Sequence, residues 1–277
     1  MPEVDDFFVR FWGVRGSIPC PGGGVVRYGG NTSCLEIRCG SNILILDAGT
    51  GLRMFDHSRN GSGPLQADVF FTHTHFDHIC GWPYFTSLLD SASTINVWCG
   101  HLLPEYTIEQ ILGGLLREPF MPVRQKDIAA RLDYRDFPVG ETLRPRPGVT
   151  LHTAPLNHPQ GATGYRVEFA GKSICYITDT EHKPGAPDRN ILKLIEGADV
   201  VVYDSTYTDE EFPAHVNWGH STWQEGARLC DAANVRQFVV FHHDPDHDDA
   251  FMDGVATDVE RARPGSLVAR EGMVIRP

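Results

Sequence analysis

Three things are scarce in this 277-residue chain, and each scarcity removes a class of function. Paired thiols are the first: Cys20, Cys34, Cys39, Cys80, Cys99, Cys175 and Cys230 are an odd number with no Cys-x-x-Cys among them. Neither a disulfide framework nor a thiolate zinc site is signalled, and most of these residues read as small buried hydrophobes. Long apolar runs are the second. No stretch approaches the roughly eighteen apolar residues of a membrane-spanning helix, and the opening Met1 to Asp6 is acidic where a secretory signal would be basic and then apolar. A soluble, cytoplasmic protein with no membrane partner is the expectation. Positive charge is the third: 24 Lys and Arg stand against 36 Asp and Glu, a net charge of -12, with no basic track. That disfavours a long nucleic acid as the ligand, because phosphate backbones are held by rows of cations. The glycine cluster Gly22-Gly23-Gly24 lacks a Gly-Lys-Ser/Thr ending, so no nucleotide-binding P-loop is indicated.

What the chain does have is ordinary globular composition, 41% hydrophobic and 22% charged, enough for a large core. One domain over residues 1–277 is expected. Apolar runs of strand length recur, and each leads into polar chemistry. Ile43 to Leu46 precedes Asp47, Val69 to Phe71 precedes a histidine cluster, and Ser173 to Ile177 precedes Thr178-Asp179-Thr180. Val200 to Tyr203 likewise precedes Asp204-Ser205-Thr206, and Phe238 to Phe241 precedes His242-His243. Helices are expected at Cys80 to Leu89, Ile108 to Arg117, Asn190 to Glu196, Thr222 to Ala233 and Asp249 to Arg263. Strands alternating with helices imply a layered α/β sandwich with its site on loops at one edge. The Gly- and Pro-rich stretch Arg15 to Asn31 reads as a flexible loop near that site. Residues 99–147 break the alternation with six prolines. A lid over the site and a plain surface excursion are both open for them, with Arg117, Phe120, Met121 and Arg124 the substrate contacts if it is a lid. Thr72-His73-Thr74-His75 and Thr178-Asp179-Thr180-Glu181 rhyme, a hint of duplicated halves.

The segment Thr72-His73-Thr74-His75-Phe76-Asp77-His78 carries the most information. If the strand runs through Thr74, His73 and His75 share a face, and Asp77 and His78 lie just past its end. Imidazole with carboxylate and no thiolate suits zinc, manganese or iron, and four such groups with helpers farther along exceed what one ion needs. Two divalent ions, zinc first, are the expectation.

With His158 in Asn157-His158-Pro159, Asp179 and His242 following in order, the chain resembles the metallo-β-lactamase superfamily over nearly its whole length. The resemblance implies a four-layer αββα sandwich of two mixed sheets. It also implies that His73, His75 and His158 hold one ion, that Asp77, His78 and His242 hold the other, and that Asp179 bridges them with a shared hydroxide. Asp47 in Asp-Ala-Gly-Thr-Gly matches the family aspartate that braces the metal loops without binding a metal. Asp204-Ser205-Thr206-Tyr207 and Gly219-His220-Ser221-Thr222 resemble the two motifs that, in RNase Z-like phosphodiesterases, supply an acid and the histidine it orients. By that likeness Asp204 holds His220 as the proton donor to the leaving oxygen, and Asp77, Asp204 and His220 are the catalytic set.

Phe11 to Pro19, Tyr28 to Ser33 and His242 to His247 resemble a subgroup allied to phosphoribosyl cyclic phosphodiesterases. The interval Pro159 to Thr178 is too short for a tRNA-gripping arm, and Cys20 stands alone where that enzyme has a cysteine cluster. The implied activity is a metal-dependent hydrolase of a small, cyclic or nucleotide-like phosphodiester. Hydrolysis of a lactone, thioester or β-lactam is the alternative, and a homodimer is the assembly to test. Arg15, Asn31, Ser33 and His243 are candidates for holding the substrate. His57, His101, His152, His182, His215 and His247 read as surface or core residues. His247, beside His243, is a second candidate for the substrate mouth, and Asp244, Asp246, Asp248 and Asp249 around them are equally consistent with a solvated helix start.

Overall fold

A computed structural model describes residues 6–59 and 62–277, so the acidic start Met1 to Asp5 lies outside it. Apolar strands, most of them buried on both faces, build two seven-stranded sheets. The first holds β1 (Phe7–Gly13), β2 (Cys34–Cys39), β3 (Asn42–Leu46), β4 (Gln66–Phe71), β5 (Thr94–Cys99) and β6 (Arg131–Asp136) in chain order, closed by β14 (Val274–Ile275) beside β1. The second holds β7 (Thr142–Leu143), β8 (Thr150–Leu156), β9 (Ala162–Phe169), β10 (Lys172–Ile177), β11 (Val200–Asp204), β12 (Gln237–Phe241) and β13 (Leu267–Val268) in chain order. Each sheet is antiparallel over its first three pairings and parallel over its last three.

That repeat makes β3 the counterpart of β10 and β4 the counterpart of β11. The rhyme between Thr72 to His75 and Thr178 to Glu181 therefore joins strands that are not counterparts. The true pair is Asp47 after β3 and Asp179 after β10.

Helices cover both outer faces: α1 (Gly51–Ser58), α2 (Phe76–Ile79) and α3 (Ile108–Leu115) on the first sheet, α4 (Arg189–Ile195), α5 (Trp223–Ala232) and α6 (Asp249–Ala262) on the second. Between the sheets Phe11, Phe70, Tyr165, Tyr176 and Phe241 are buried. Each such side chain contributes on the order of 2–3 kcal/mol of hydrophobic stabilisation. The layers are thus αββα, a metallo-β-lactamase fold. No helix among the described residues is long and apolar enough to cross a membrane. No disulfide forms, and six of the seven cysteines are buried.

The helix expected over Cys80 to Leu89 is instead the single turn α2 followed by 3-10 turns at Trp82–Tyr84 and Thr86–Leu89. Pro83 has no N–H to continue a helix, and the backbone of Gly81 is pressed against that of Gly49. Residues 99–147 are more ordered than an excursion: α3 starts on a capping box of Thr107 and Gln110, and β6 extends the first sheet. Arg146 of this segment reaches back to the buried Asp68 at 2.5 Å, where Asn96 and Trp98 also donate.

Candidate metal centre

The direction of the strands decides where the chemistry lies. β8, β10, β11 and β12 all run the same way, as β3 and β4 do in the other sheet, so their C-terminal ends gather at common edges. The two edges are pinned together: Tyr165 donates its hydroxyl to the Phe71 carbonyl at 2.6 Å, and Thr163 N–H donates to Thr72 O at 2.9 Å. After β4 come His73, His75, Asp77 and His78. His158 follows β8, Asp179 follows β10, Asp204 ends β11 and His242 follows β12. Asp47, Asp179 and His242 leave their strands in the left-handed region, at φ 61°, 59° and 65°. Such backbone costs a non-glycine residue on the order of 1 kcal/mol and is concentrated where function over-rides local preference.

These side chains form two adjoining donor sets around one carboxylate. Asp179 Oδ1 lies 3.6 Å from His73 Nε2 and 3.7 Å from His158 Nε2, and His158 Nε2 is 2.9 Å from His75 Nδ1. Asp179 Oδ2 lies 3.1 Å from His78 Nε2 and 3.4 Å from His242 Nε2, while Asp77 Oδ2 is 3.2 and 3.4 Å from the same two nitrogens. The Nε2 atoms of His73, His78 and His242 are buried with no hydrogen-bond partner. Buried polar atoms are rarely left so, and three unpaired nitrogens aimed at shared carboxylates fit divalent cations.

The opposite edge of each ring is engaged, which fixes its orientation. His78 Nδ1 donates to Asp47 at 2.8 Å, His158 Nδ1 to the Gly219 carbonyl at 2.7 Å and His75 Nε2 to Gln160 Oε1 at 2.9 Å. Thr72 Oγ1 lies 3.1 Å from His73 Nδ1, and Thr206 Oγ1 lies 3.0 Å from His242 Nδ1. Gly219 is obligatory here, since its φ is 86° and any Cβ would run into the His158 ring.

Charge in the centre is arranged for cations. Burial opposes ionisation of Asp179, yet His242, His78 and His73 outweigh it and hold the carboxyl well below its usual range. Asp77 is held low in the same way, against burial, by His78 and His242. Burial, helped by the charge of His78, pushes His73 well below an ordinary imidazole, so its lone pair is available. His78 goes the other way: despite burial, Asp179, Asp77 and Asp47 raise it well above the ordinary value. Without a cation it carries a proton in the cation's stead.

Comparison with known proteins matches residues 42–243 to the beta-lactamase superfamily domain. The chain belongs to that family. Among relatives of the beta-lactamase superfamily, it is 26% identical over 262 residues to Ribonuclease Z of Myxococcus xanthus, covering 79% of this chain and 83% of that one. The fold is similar to the metallo-beta-lactamase fold protein YhfI from Bacillus subtilis, with a TM-score of 0.73 at 17% identity, covering 98% and 99% of the two chains. It is also similar to a diphosphatase from the PhnP family, with a TM-score of 0.70 at 16% identity, covering 98% of each chain.

His220 and Asp204 stand beside the superfamily donor sets. His220 Nδ1 is 3.0 Å from Asp204 Oδ2 and 3.9 Å from Asp179 Oδ1. Burial disfavours the imidazolium, but Asp204, its hydrogen bond and then Asp179 push His220 up to about 9. Asp204 is itself held by Thr180 N–H at 3.0 Å and by the Thr206 hydroxyl at 2.8 Å.

The four candidate substrate contacts are placed otherwise. Arg15 is fully buried and clamps backbone, donating to the carbonyls of Gly29, Asp244 and His247 at 2.7 to 2.9 Å. Asn31 is turned onto Glu271 at 3.0 Å. Ser33 and His243 are buried, His243 donating to Ala269 O at 2.8 Å; burial pushes its imidazole down to about 3. Arg15, Asn31 and His243 serve to hold the Arg15 to Asn31 loop, which reaches the centre through Ser17 N–H on Asp77 at 2.8 Å, while the Ser33 hydroxyl is buried without a partner. From the proposed lid, Phe120 is exposed and Arg124 is spent on Asp127, and Arg117 lies against Phe120. His101, Leu102, Glu105, Tyr106 and Ile111 are the residues of that segment that line a cleft with His73 and His75. Asp248 and Asp249 are a helix start, Asp248 capping α6 and Asp249 accepting from Arg27 N–H. Ser17, Gln160, Thr206 and Tyr176 were not anticipated; each but Tyr176 adjoins a motif, and that adjacency was the only signal. A larger hollow of about 490 Å³ near β8 and α4 shares no residue with the centre, and its Arg166 is committed to the Leu194 and Glu196 carbonyls.

Proposed function

We propose that this hydrolase of the metallo-β-lactamase superfamily is a two-metal phosphodiesterase for a small, cyclic or nucleotide-like diester. The pairing of His220 with Asp204 carries the reading. A thioester leaves as a thiolate with little need of a buried acid, whereas the alkoxide of a diester must be given a proton; a lactone or β-lactam would use the same acid and ranks second on the phosphate chemistry of the relatives. The relative named Ribonuclease Z and the PhnP-family diphosphatase point to the same phosphate chemistry.

In this reading His73, His75, His158 and Asp179 Oδ1 hold one ion, zinc first with manganese or iron as the other choices. Asp77, His78, His242 and Asp179 Oδ2 hold the second. Bound there, divalent ions would lower the pKa of water towards neutrality and offset charge building on the phosphoryl oxygens. His220 keeps Nδ1–H on Asp204, leaving Nε2–H as the ring's donor for the departing oxygen. Asp204 is a positioning residue for that ring, and Asp47 does the same for His78. The interval from His158 to Asp179 is filled by the hairpin of β9 and β10, which turns at Ala170 and Gly171 and extends no arm for a polynucleotide. Residues 1–277 act as one domain, in the cytoplasm.

Protein loaded with zinc or manganese is expected to cleave bis(p-nitrophenyl) phosphate. On a 2′,3′-cyclic nucleotide, whose leaving alkoxide needs a proton that p-nitrophenolate does not, His220→Ala is expected to lose about 10²- to 10⁴-fold in rate while retaining its metal by elemental analysis. Inactivity of the loaded protein on every diester, with turnover of thioesters or lactones, overturns the assignment.

A further inference from the structure

A cleft of about 360 Å³ opens from the centre on its His75 side, with His73 and His75 at its inner end. Its walls are apolar or aromatic: Leu102, Tyr106, Ile111 and Pro159. No lysine or arginine lines it. Of its polar side chains, Thr74 and His101 are turned on each other at 3.2 Å, and Gln160 accepts from His75. Burial holds His101 down to about 4, so it adds no cation near neutral pH. Glu105 is different: it lines the cleft, and none of the side-chain hydrogen bonds or ion pairs among the described residues engages its carboxylate.

These features choose among the parts of a diester. The volume sits at the lower end of the range for small-molecule pockets, about 300–1,000 Å³, and suits one nucleoside-sized group. A second phosphate would meet the Glu105 carboxylate and no cation. A planar base would meet the exposed ring of Tyr106, which offers a stacking face, and its N–H groups would meet Glu105.

We propose that this cleft binds the nucleoside arm of the diester, with the base against Tyr106 and Glu105 as the residue that sets base specificity. Guanine is the preferred base, because its adjacent ring N–H and amino N–H present a pair of donors to one carboxylate. Adenine offers no such pair on that edge. The inference rests on the phosphodiesterase reading for its substrate, but not for its measurement.

The test is calorimetric titration of the full-length, metal-loaded protein with guanosine, adenosine, inorganic phosphate and a single-stranded RNA oligonucleotide. Guanosine is expected to bind about tenfold tighter than adenosine, the scale of one bidentate, charge-assisted contact. Glu105→Ala should abolish that preference, and Tyr106→Ala should weaken both nucleosides. With the p-nitrophenyl esters of guanosine and adenosine 5′-phosphate, Glu105→Ala should raise KM for the guanosine ester alone. Equal binding of the two nucleosides, a preference that survives Glu105→Ala in a protein of unchanged melting temperature, or tighter binding of the oligonucleotide overturns the proposal. Bis(p-nitrophenyl) phosphate carries no base, so failure to cleave it sinks the phosphodiesterase reading, while guanosine binding tests the cleft without turnover.

Discussion

Asp47 and Asp179 stand at matching positions of the two sheets, after β3 and β10, with nearly the same backbone, φ 61° and 59°, and opposite duties. Asp179 turns its carboxylate to four histidines. Asp47 turns its own to the supports of the site, accepting from Thr72 N–H at 2.8 Å, from Tyr176 OH at 3.0 Å and from His78 Nδ1 at 2.8 Å. One faces the donor sets and the other braces a member of them.

Asp47→Asn should therefore leave a folded protein that binds metal more weakly. Loss of the partner that orients a histidine ligand typically costs about 10- to 100-fold in metal affinity. Competition with a chromogenic chelator measures it, and unchanged affinity would remove Asp47 from the account.

In the proposed mechanism the proton on His220 would set the alkaline limit of activity. Its folded value is raised to about 9, so the imidazolium is fully present below the ordinary histidine range and is lost as pH rises through the folded value. Cations bound beside Asp179 lower that value somewhat, so the rate should fall on an alkaline limb below pH 9. In His220→Asn the remaining rate should lose this limb. A pH–rate profile for both proteins decides it.

Metal binding should be a large part of the stability of this edge. Ligand at about 1,000 times its Kd adds on the order of 4 kcal/mol, so chelation should lower the melting temperature by several degrees. The affinity should also fall with acid, since His78, which Asp179, Asp77 and Asp47 keep protonated despite burial, must release its proton to bind. Identical melting curves with and without chelator, in protein shown to be metal-loaded, would contradict this.

Away from the site, Arg146→Met should destabilise the fold by about 2 kcal/mol, because it leaves the fully buried Asp68 without its cation. The discount from the 3–5 kcal/mol of a fully buried pair reflects the quarter exposure of Arg146. Adding Asp68→Asn should recover part of the loss in urea unfolding.

The residues of the donor sets were legible because their chemistry is local: an apolar run ending in His-x-His-x-Asp-His or in a lone Asp or His marks a strand end whatever the partner strands do. The sandwich was legible for the same reason, through continuous apolar runs of strand length alternating with helical segments. The roles of Arg15, Asn31, Ser33 and His243 were not. Their neighbours are Gly29, Asp244, His247, Glu271 and Ala269, and apart from Gly29 these belong to remote stretches of the chain. Polar side chains near a motif can face a substrate or brace a loop, and sequence spacing does not distinguish the two.

The sequence by itself determined which residues offer metal-type donors, that they sit at strand ends, and that the net charge is -12. Tertiary structure alone decided that those ends meet, that Asp179 divides its two oxygens between two donor sets, and that Glu105 and Tyr106 line the cleft beside them. The physical reason is that donor identity is a property of one residue, whereas coordination and burial are properties of distances between residues far apart in the chain.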